Sequence, residues 1–275
     1  MRRRVSLRSA LALGSVFAVA GGCSTFGDEA SPPPNGSDAS ADATPAVDTG
    51  TGADAPSPDA APADGGATFC TSPAGKAFKF CRDFEDGESV TFGFAAVQGS
   101  PLLDSTTSTS PTHAMWTQSP GTFVRYETND APTNAQRIRT AVYLGTFTAP
   151  TGDPRATVFL RVVQAPGPTE CVHELFALTN TTRLDTRAAA DSGSVTAQIA
   201  LPRIVDARRW TAVEIGLAQD PAGVRVTVRF DGEIVLADSL TKCPALAPTV
   251  HVFLGLVTAV TGGEARFDDF AFGGN

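Results

Sequence analysis

Two groups of carboxylates stand near opposite ends of the apolar-rich part of this sequence. They are Asp83, Glu85 and Asp86 in Arg82-Asp83-Phe84-Glu85-Asp86-Gly87, and Asp268 and Asp269 in Arg266-Phe267-Asp268-Asp269-Phe270. Clustered Asp and Glu with nearby carbonyls form the oxygen-rich donor set that calcium takes. The plainer use of such residues is to accept backbone hydrogen bonds beside strand ends. Asp83, Glu85, Asp268 and Asp269 are therefore expected either to cap strands or to hold a structural Ca2+, with no catalytic role. Two more acids fall inside strand-like runs. Glu174 shares a face with Val172, Phe176 and Leu178, which predicts a semi-buried acid, whereas Glu214 lies opposite Val213, Ile215 and Leu217 and should face water. Glycoside hydrolysis needs two carboxylates about 5–5.5 Å or about 6.5–9.5 Å apart. A single odd carboxylate is more often hydrogen-bonded structure than half of such a pair.

Other chemistry-bearing types are sparse. His113, His173 and His251 are isolated, without zinc-ligand spacing, and neither a G-x-S-x-G elbow nor a phosphate loop occurs. Trp116, in His113-Ala114-Met115-Trp116, is the best candidate for stacking on a sugar ring, although a half-buried edge tryptophan is the plainer reading. Tyr126 and Tyr143 could join it, but the sequence alone does not bring the three together. With two Trp and two Tyr in all, no broad aromatic platform is expected.

The charge divides the chain into three parts. Residues 1–22 carry four arginines and no acid, residues 23–69 carry eight acids and no base, and residues 70–275 carry 17 bases and 21 acids. No basic patch exists to displace phosphate counterions, which argues against a nucleic-acid partner. Arg2, Arg3, Arg4 and Arg8 precede the apolar stretch Ala10–Ala20, which is too short to span a bilayer of about 30 Å and reads as an export signal over 1–22. It ends in Ala20-Gly21-Gly22-Cys23, which resembles a bacterial lipobox and makes Cys23 the expected lipidation site. Ser24 after that cysteine hints at the outer membrane. Residues 23–68 are rich in Ala, Asp, Pro, Ser and Thr, with little to build a core, and are expected to form a disordered tether. As a flexible coil such a tether spans about 35–40 Å.

From Phe69 the pattern becomes alternating. Val224, Val226, Val228 and Phe230 fall on one face with Arg225, Thr227 and Arg229 on the other, and Asp231-Gly232 signals a hairpin into Glu233-Ile234-Val235-Leu236. Ile138, Val142 and Leu144 alternate with Arg137, Arg139 and Tyr143. Val158, Leu160 and Val162 repeat the pattern, as do Val250, Val252, Leu254 and Leu256. Further strands are expected at 78–84, 91–97, 121–127, 171–179, 194–201, 210–218 and 264–272. No window of twelve residues carries a helical period. A dozen short strands fit one two-sheet sandwich or jelly roll over 69–275.

The remaining cysteines are Cys70, Cys81, Cys171 and Cys243. An even number in an exported chain predicts two disulfides. Three pairings are possible. Cys70–Cys81, closing a short loop with Pro73 and Gly75, and Cys171–Cys243 are favoured, the latter worth roughly 4 kcal/mol by loop entropy. A metal site is the competitor, with His173 the only histidine near a cysteine.

Trp210-Thr211-Ala212-Val213-Glu214-Ile215, the run Val224–Phe230 with Asp231-Gly232, Val252–Leu256, and Arg266–Phe272 together resemble the strand signatures of laminin-G-like and concanavalin A-like domains. Phe80–Gly87 resembles the opening of bacterial lipoproteins that carry this jelly roll. "DFEDG" and "FDDF" also resemble motifs of smaller calcium-binding carbohydrate modules. The resemblance covers 69–275 and implies an all-β, two-sheet antiparallel jelly-roll sandwich of the concanavalin A-like lectin/glucanase type. It implies that the first and last strands are neighbours, so that the two acidic groups converge, and that Trp210 is a buried core residue. Hydrolases of this resemblance carry E-x-D-x-x-E on one strand, and that motif is absent. The expected function is a non-enzymatic binding module displayed on the cell envelope. Its membrane contact is the lipid anchor, its ligand a glycan or an envelope protein, and it is expected to be a monomer. A glycoside hydrolase or a purely structural envelope protein are the alternatives.

Overall fold

The computed structural model describes residues 68–85, 89–109, 113–145, 157–165, 170–178, 181–188, 197–258 and 263–274. The leader, Cys23, the tether and Asp86 lie outside the described residues. A 3-10 turn (Phe69–Thr71) leads into one helical turn, α1 (Pro73–Lys76), with Pro73 in its first turn and the Ser72 side chain accepting from the Gly75 amide at its N-terminus. Fifteen strands follow among the described residues. They are β1 (Phe80–Arg82), β2 (Ala96–Gln98), β3 (Leu102–Asp104), β4 (Ala114–Thr117), β5 (Phe123–Thr128), β6 (Ala135–Leu144), β7 (Thr157–Gln164) and β8 (Cys171–Leu178). Then come β9 (Thr181–Ala188), β10 (Ala197–Leu201), β11 (Trp210–Asp220), β12 (Gly223–Phe230), β13 (Glu233–Leu240), β14 (Val250–Gly255) and β15 (Ala265–Gly273).

The strands pair antiparallel into two sheets. One runs β13-β12-β11-β6-β15-β4-β3, with β1 also beside β15, and we call it sheet A; the other runs β10-β9-β8-β7-β14-β5-β2, and we call it sheet B. This is a jelly-roll β-sandwich. The side chains expected inward are inward: Ile138, Val213, Ile215, Val226, Val228 and Phe230 from sheet A meet Leu160, Val162, Leu175, Val252 and Leu254 from sheet B in one core. Period-two alternation fixes this arrangement, because a one-residue slip would turn every Val and Ile to water. The hairpin at Asp231-Gly232 forms with positive φ at both residues (52° and 82°), the conformation that Asp-Gly accommodates.

The structure adds strands that the pattern did not predict: β3, β4 and β9. In β9, Thr182 and Thr186 point inward with Leu184, so the buried face is two-thirds hydroxyl and reads as polar. Cys70 pairs with Cys81, and Cys171 with Cys243. β1 lies beside β15 through Phe80↔Phe272 and Arg82↔Phe270. A bulge between Asp268 and Ala271 breaks the β15–β6 register, and Asp269 sits in it at φ 52°. The bulge places two consecutive acids where strand geometry would otherwise alternate them.

Candidate functional site

Sheet A brings together side chains that the sequence leaves scattered. Trp116 on β4 is paired with Arg266 on β15, Arg266 with Tyr143 on β6, and Tyr143 with Trp210 on β11. The four residues therefore form one row across four neighbouring strands on the outer face, about 14 Å long at the usual strand spacing. The Arg266 guanidinium lies 5.0 Å from the Trp116 ring and 5.4 Å from the Tyr143 ring, and the Tyr143 and Trp210 rings are 5.6 Å apart. All three aromatic residues are half-buried. Arg266 itself is buried and fixed from beneath, donating from Nε to Asp104 and from NH1 to Glu264 at 3.1 Å. Trp116 Nε1 donates to the other oxygen of Glu264 at 3.1 Å. Burial works to raise the Asp104 carboxyl, but its bonds from Arg266 and Thr106 outweigh that and hold it below the ordinary range. The row is thus rigid, with its one cation compensated by two anions.

Two sequence expectations change here. Trp210 is not a core residue: it has the parity of Ala212 and Glu214, opposite the buried Val213 and Ile215, and so faces outward. Tyr126 does not join Trp116. It shares the inward parity of Val124 on β5, is 7% exposed, and packs against Phe80, Phe270 and Phe272 in the core. Arg266 and Trp210 are the site residues that residue-type reasoning missed. Parity alone could have found Trp210.

The acidic groups converge in part. Asp268 is fully buried; the Thr109 amide and hydroxyl donate to its Oδ2 at 3.1 and 2.9 Å, and the Asp269 amide to its Oδ1 at 2.8 Å. Burial, then the neighbouring charge of Asp268, pushes Asp269 up to about 7, with Asp83 adding to the rise and Arg139 and Thr109 opposing it. Among the described residues, Asp269 Oδ1 is buried without a hydrogen-bond partner. Asp83, 6% exposed, belongs to the same electrostatic cluster. Glu85 is directed elsewhere and accepts from the His113 amide at 3.1 Å. Two buried carboxylates, Asp83 and Asp268, thus lie beside a half-buried third, Asp269, that keeps an unspent oxygen.

The two strand-borne glutamates are each gripped by arginine. Glu214 accepts from Arg137 at 2.8 Å and Arg229 at 2.9 Å, so it is buried by its partners instead of facing water. Glu174 on sheet B is bound by Arg161 at 2.5 Å and Arg187 at 2.6 Å. Asp185 stands directly across from Glu174 and is bound by Arg183 at 2.6 Å; burial is the first cause that raises its carboxyl. Glu174 and Asp185 thus form a cross-strand carboxylate pair. At 3% and 1% exposure, both are closed to a substrate. His173 Nε2 lies 3.5 Å from Cys171 Sγ and 3.9 Å from Cys243 Sγ, but the paired sulfurs offer no thiolate, and burial holds the imidazole neutral with a pKa of about 4.

No family model and no curated protein matches the chain. Among solved structures it is similar to the cellulose-induced protein Cip1, at 14% identity over 72% of this chain and 98% of that one, with a TM-score of 0.48. It is also similar to domain 4 of AbnA, a GH43 extracellular arabinanase from Geobacillus stearothermophilus solved with arabinotriose, at 14% identity over 65% of this chain and 77% of that one (TM-score 0.42). A third is botulinum neurotoxin type C, whose cell entry depends on two ganglioside molecules, at 9% identity over 64% of this chain and 42% of that one (TM-score 0.43).

Proposed function

We propose that the sandwich is a non-catalytic glycan-binding module and that its ligand stacks on the Trp116–Arg266–Tyr143–Trp210 row. The observation that carries this reading is the cross-strand register of those four residues. Aromatic faces attract the C–H faces of sugars, and rings fixed in advance lose little entropy on binding. Calorimetric titration of oligosaccharides identified on a glycan array tests it. Trp116→Ala and Tyr143→Ala should each weaken binding at least about tenfold with little change in melting. Equal binding by the wild type and both variants contradicts the reading.

The binding reading is supported over hydrolysis by the arginine pairs on Glu174 and Glu214, which occupy the oxygens of both carboxylates. Within the same module, Asp83, Asp268 and Asp269 would hold a structural Ca2+, tying β1 to β15. Calcium titration followed by calorimetry should show one site, and a chelator should lower the melting temperature; an unchanged melt removes the ion. The chain is displayed on the cell envelope by lipid on Cys23, beyond a tether that gives the module reach. Radiolabelled palmitate incorporation that persists in Cys23→Ser overturns that placement.

A further inference from the structure

The outer face of sheet A holds a second feature, further along β11 and β6 than the aromatic row. A depression of about 520 Å3 opens over Gly216 and Ala218, and Arg137, Glu214, Thr227 and Arg229 rim it. It exists because two successive outward positions of β11, Gly216 and Ala218, carry almost no side chain: a Cβ added to Gly216 would meet nothing closer than Thr227 Cβ at 3.8 Å. Its charge is unbalanced. The lining residues include two guanidiniums and one carboxylate. Glu214, with a side chain 10% exposed, takes one hydrogen bond from each arginine, whose side chains remain 35% and 37% exposed. Among the described residues those are the only hydrogen bonds either guanidinium makes, out of five N–H groups on each. Arg137 is also held against the Phe78 ring at 5.1 Å. The glutamate therefore acts as a fixed backing that aims two guanidiniums and leaves one positive charge uncancelled. Planar N–H forks of this kind match a carboxylate in two-point contact.

We infer that this depression is a subsite for the carboxylate of an acidic sugar, so that the module's glycan is a uronate-bearing polysaccharide. The inference rests on the glycan-binding reading of the aromatic row. Gly216 lies six residues from Trp210 with the same outward parity, about 20 Å along the strand, so the two features share one face at oligosaccharide distance. The row, whose own cation is compensated, supplies stacking for any sugar. The depression supplies the preference for charge.

Calorimetry with oligogalacturonate, and with the same oligomer after chemical reduction of its carboxyl groups, separates the two contributions. The wild type should bind the acidic form about tenfold more tightly, the size of one charge-assisted contact, and added salt should erode that preference. Arg229→Gln should remove the preference and leave the neutral form unaffected. Gly216→Val, which fills the floor without touching a charge, should do the same. Trp116→Ala should weaken both forms alike. Equal binding of the two forms by the wild type overturns the subsite while leaving the row intact. Acidic binding that is lost in Arg229→Gln but untouched in Trp116→Ala overturns the row. Failure of both forms to bind overturns both.

Discussion

The outer faces of the two sheets each carry a glutamate held between two arginines, yet they use the surrounding residues differently. On sheet B the charges close upon themselves: Arg161 and Arg187 on Glu174, Arg183 on Asp185, and Arg125 and His251 beside Glu127. Phe253 and Phe123 pack edge to face within that layer. On sheet A Glu214 likewise serves two arginines but is the one carboxylate lining their depression, whereas Glu174 has Asp185 directly across from it; Trp and Tyr align across the strands beside the depression. The same strand alternation thus builds a face where several carboxylates stand among the arginines and a face with a row of rings beside two arginines that share one carboxylate. Exposure of charge alone does not distinguish them. What distinguishes them is how many carboxylates stand among the arginines.

The largest effect that can break this comparison is on stability. Glu174→Ala leaves two arginines without an anion on a nearly closed face and should cost about 3–5 kcal/mol in denaturant unfolding, with glycan binding preserved in the folded fraction. A cost below about 1 kcal/mol would mean that sheet B is no more self-satisfied than an ordinary surface.

Next is a pH effect that sets the bulge of sheet A against the interior of sheet B. Asp269 is raised by burial to about 7, so its contribution to stability is present below about 4 and is lost as pH rises through 7. His173 is lowered by burial to about 4, so its contribution is present above about 6.5 and is lost as pH falls through 4. Over the same window the two oppose each other. In chelator, Asp269→Asn removes the opposing effect, so stability should fall more steeply than in the wild type as pH is lowered from 6.5 to 4, with His173 contributing about 3 kcal/mol of the fall. The wild type should be flatter. Parallel curves for the two proteins would show that Asp269 does not titrate in this window.

The smallest effect concerns the tyrosine that belongs to the core. Tyr126→Phe keeps the ring against Phe80 and Phe272 and removes only a hydroxyl, so it should change stability by about 1 kcal/mol or less and binding not at all. Loss of binding in that variant would move the ligand away from the outer face of sheet A.

The sequence disclosed the sandwich wherever one side of a strand was Val, Ile, Leu or Phe, as in β12 and β14, and it failed where the inward side was threonine, as in β9. Tyr143 was legible as outward because Ile138, Val142 and Leu144 fixed the other face of β6. Trp210 was misplaced because likeness to a family put it in a core, although its own parity with Glu214 pointed outward. Glu214 was read as solvated because its face was visible in the sequence while its partners were not: Arg229 stands opposite it, and Arg137 reaches it diagonally from β6. The row itself depends on β4 pairing with β15, residues about 150 positions apart in the chain, and local pattern carries no trace of such a register.

Both tryptophans of the chain lie in the row, which makes their emission the most direct report on it. Titrating the protein with an oligosaccharide that calorimetry shows to bind should give a saturable change in tryptophan fluorescence with the calorimetric dissociation constant, and Tyr143→Ala should weaken both together. Calorimetric binding with unchanged tryptophan emission would contradict the account, because the ligand would then sit elsewhere on the sandwich.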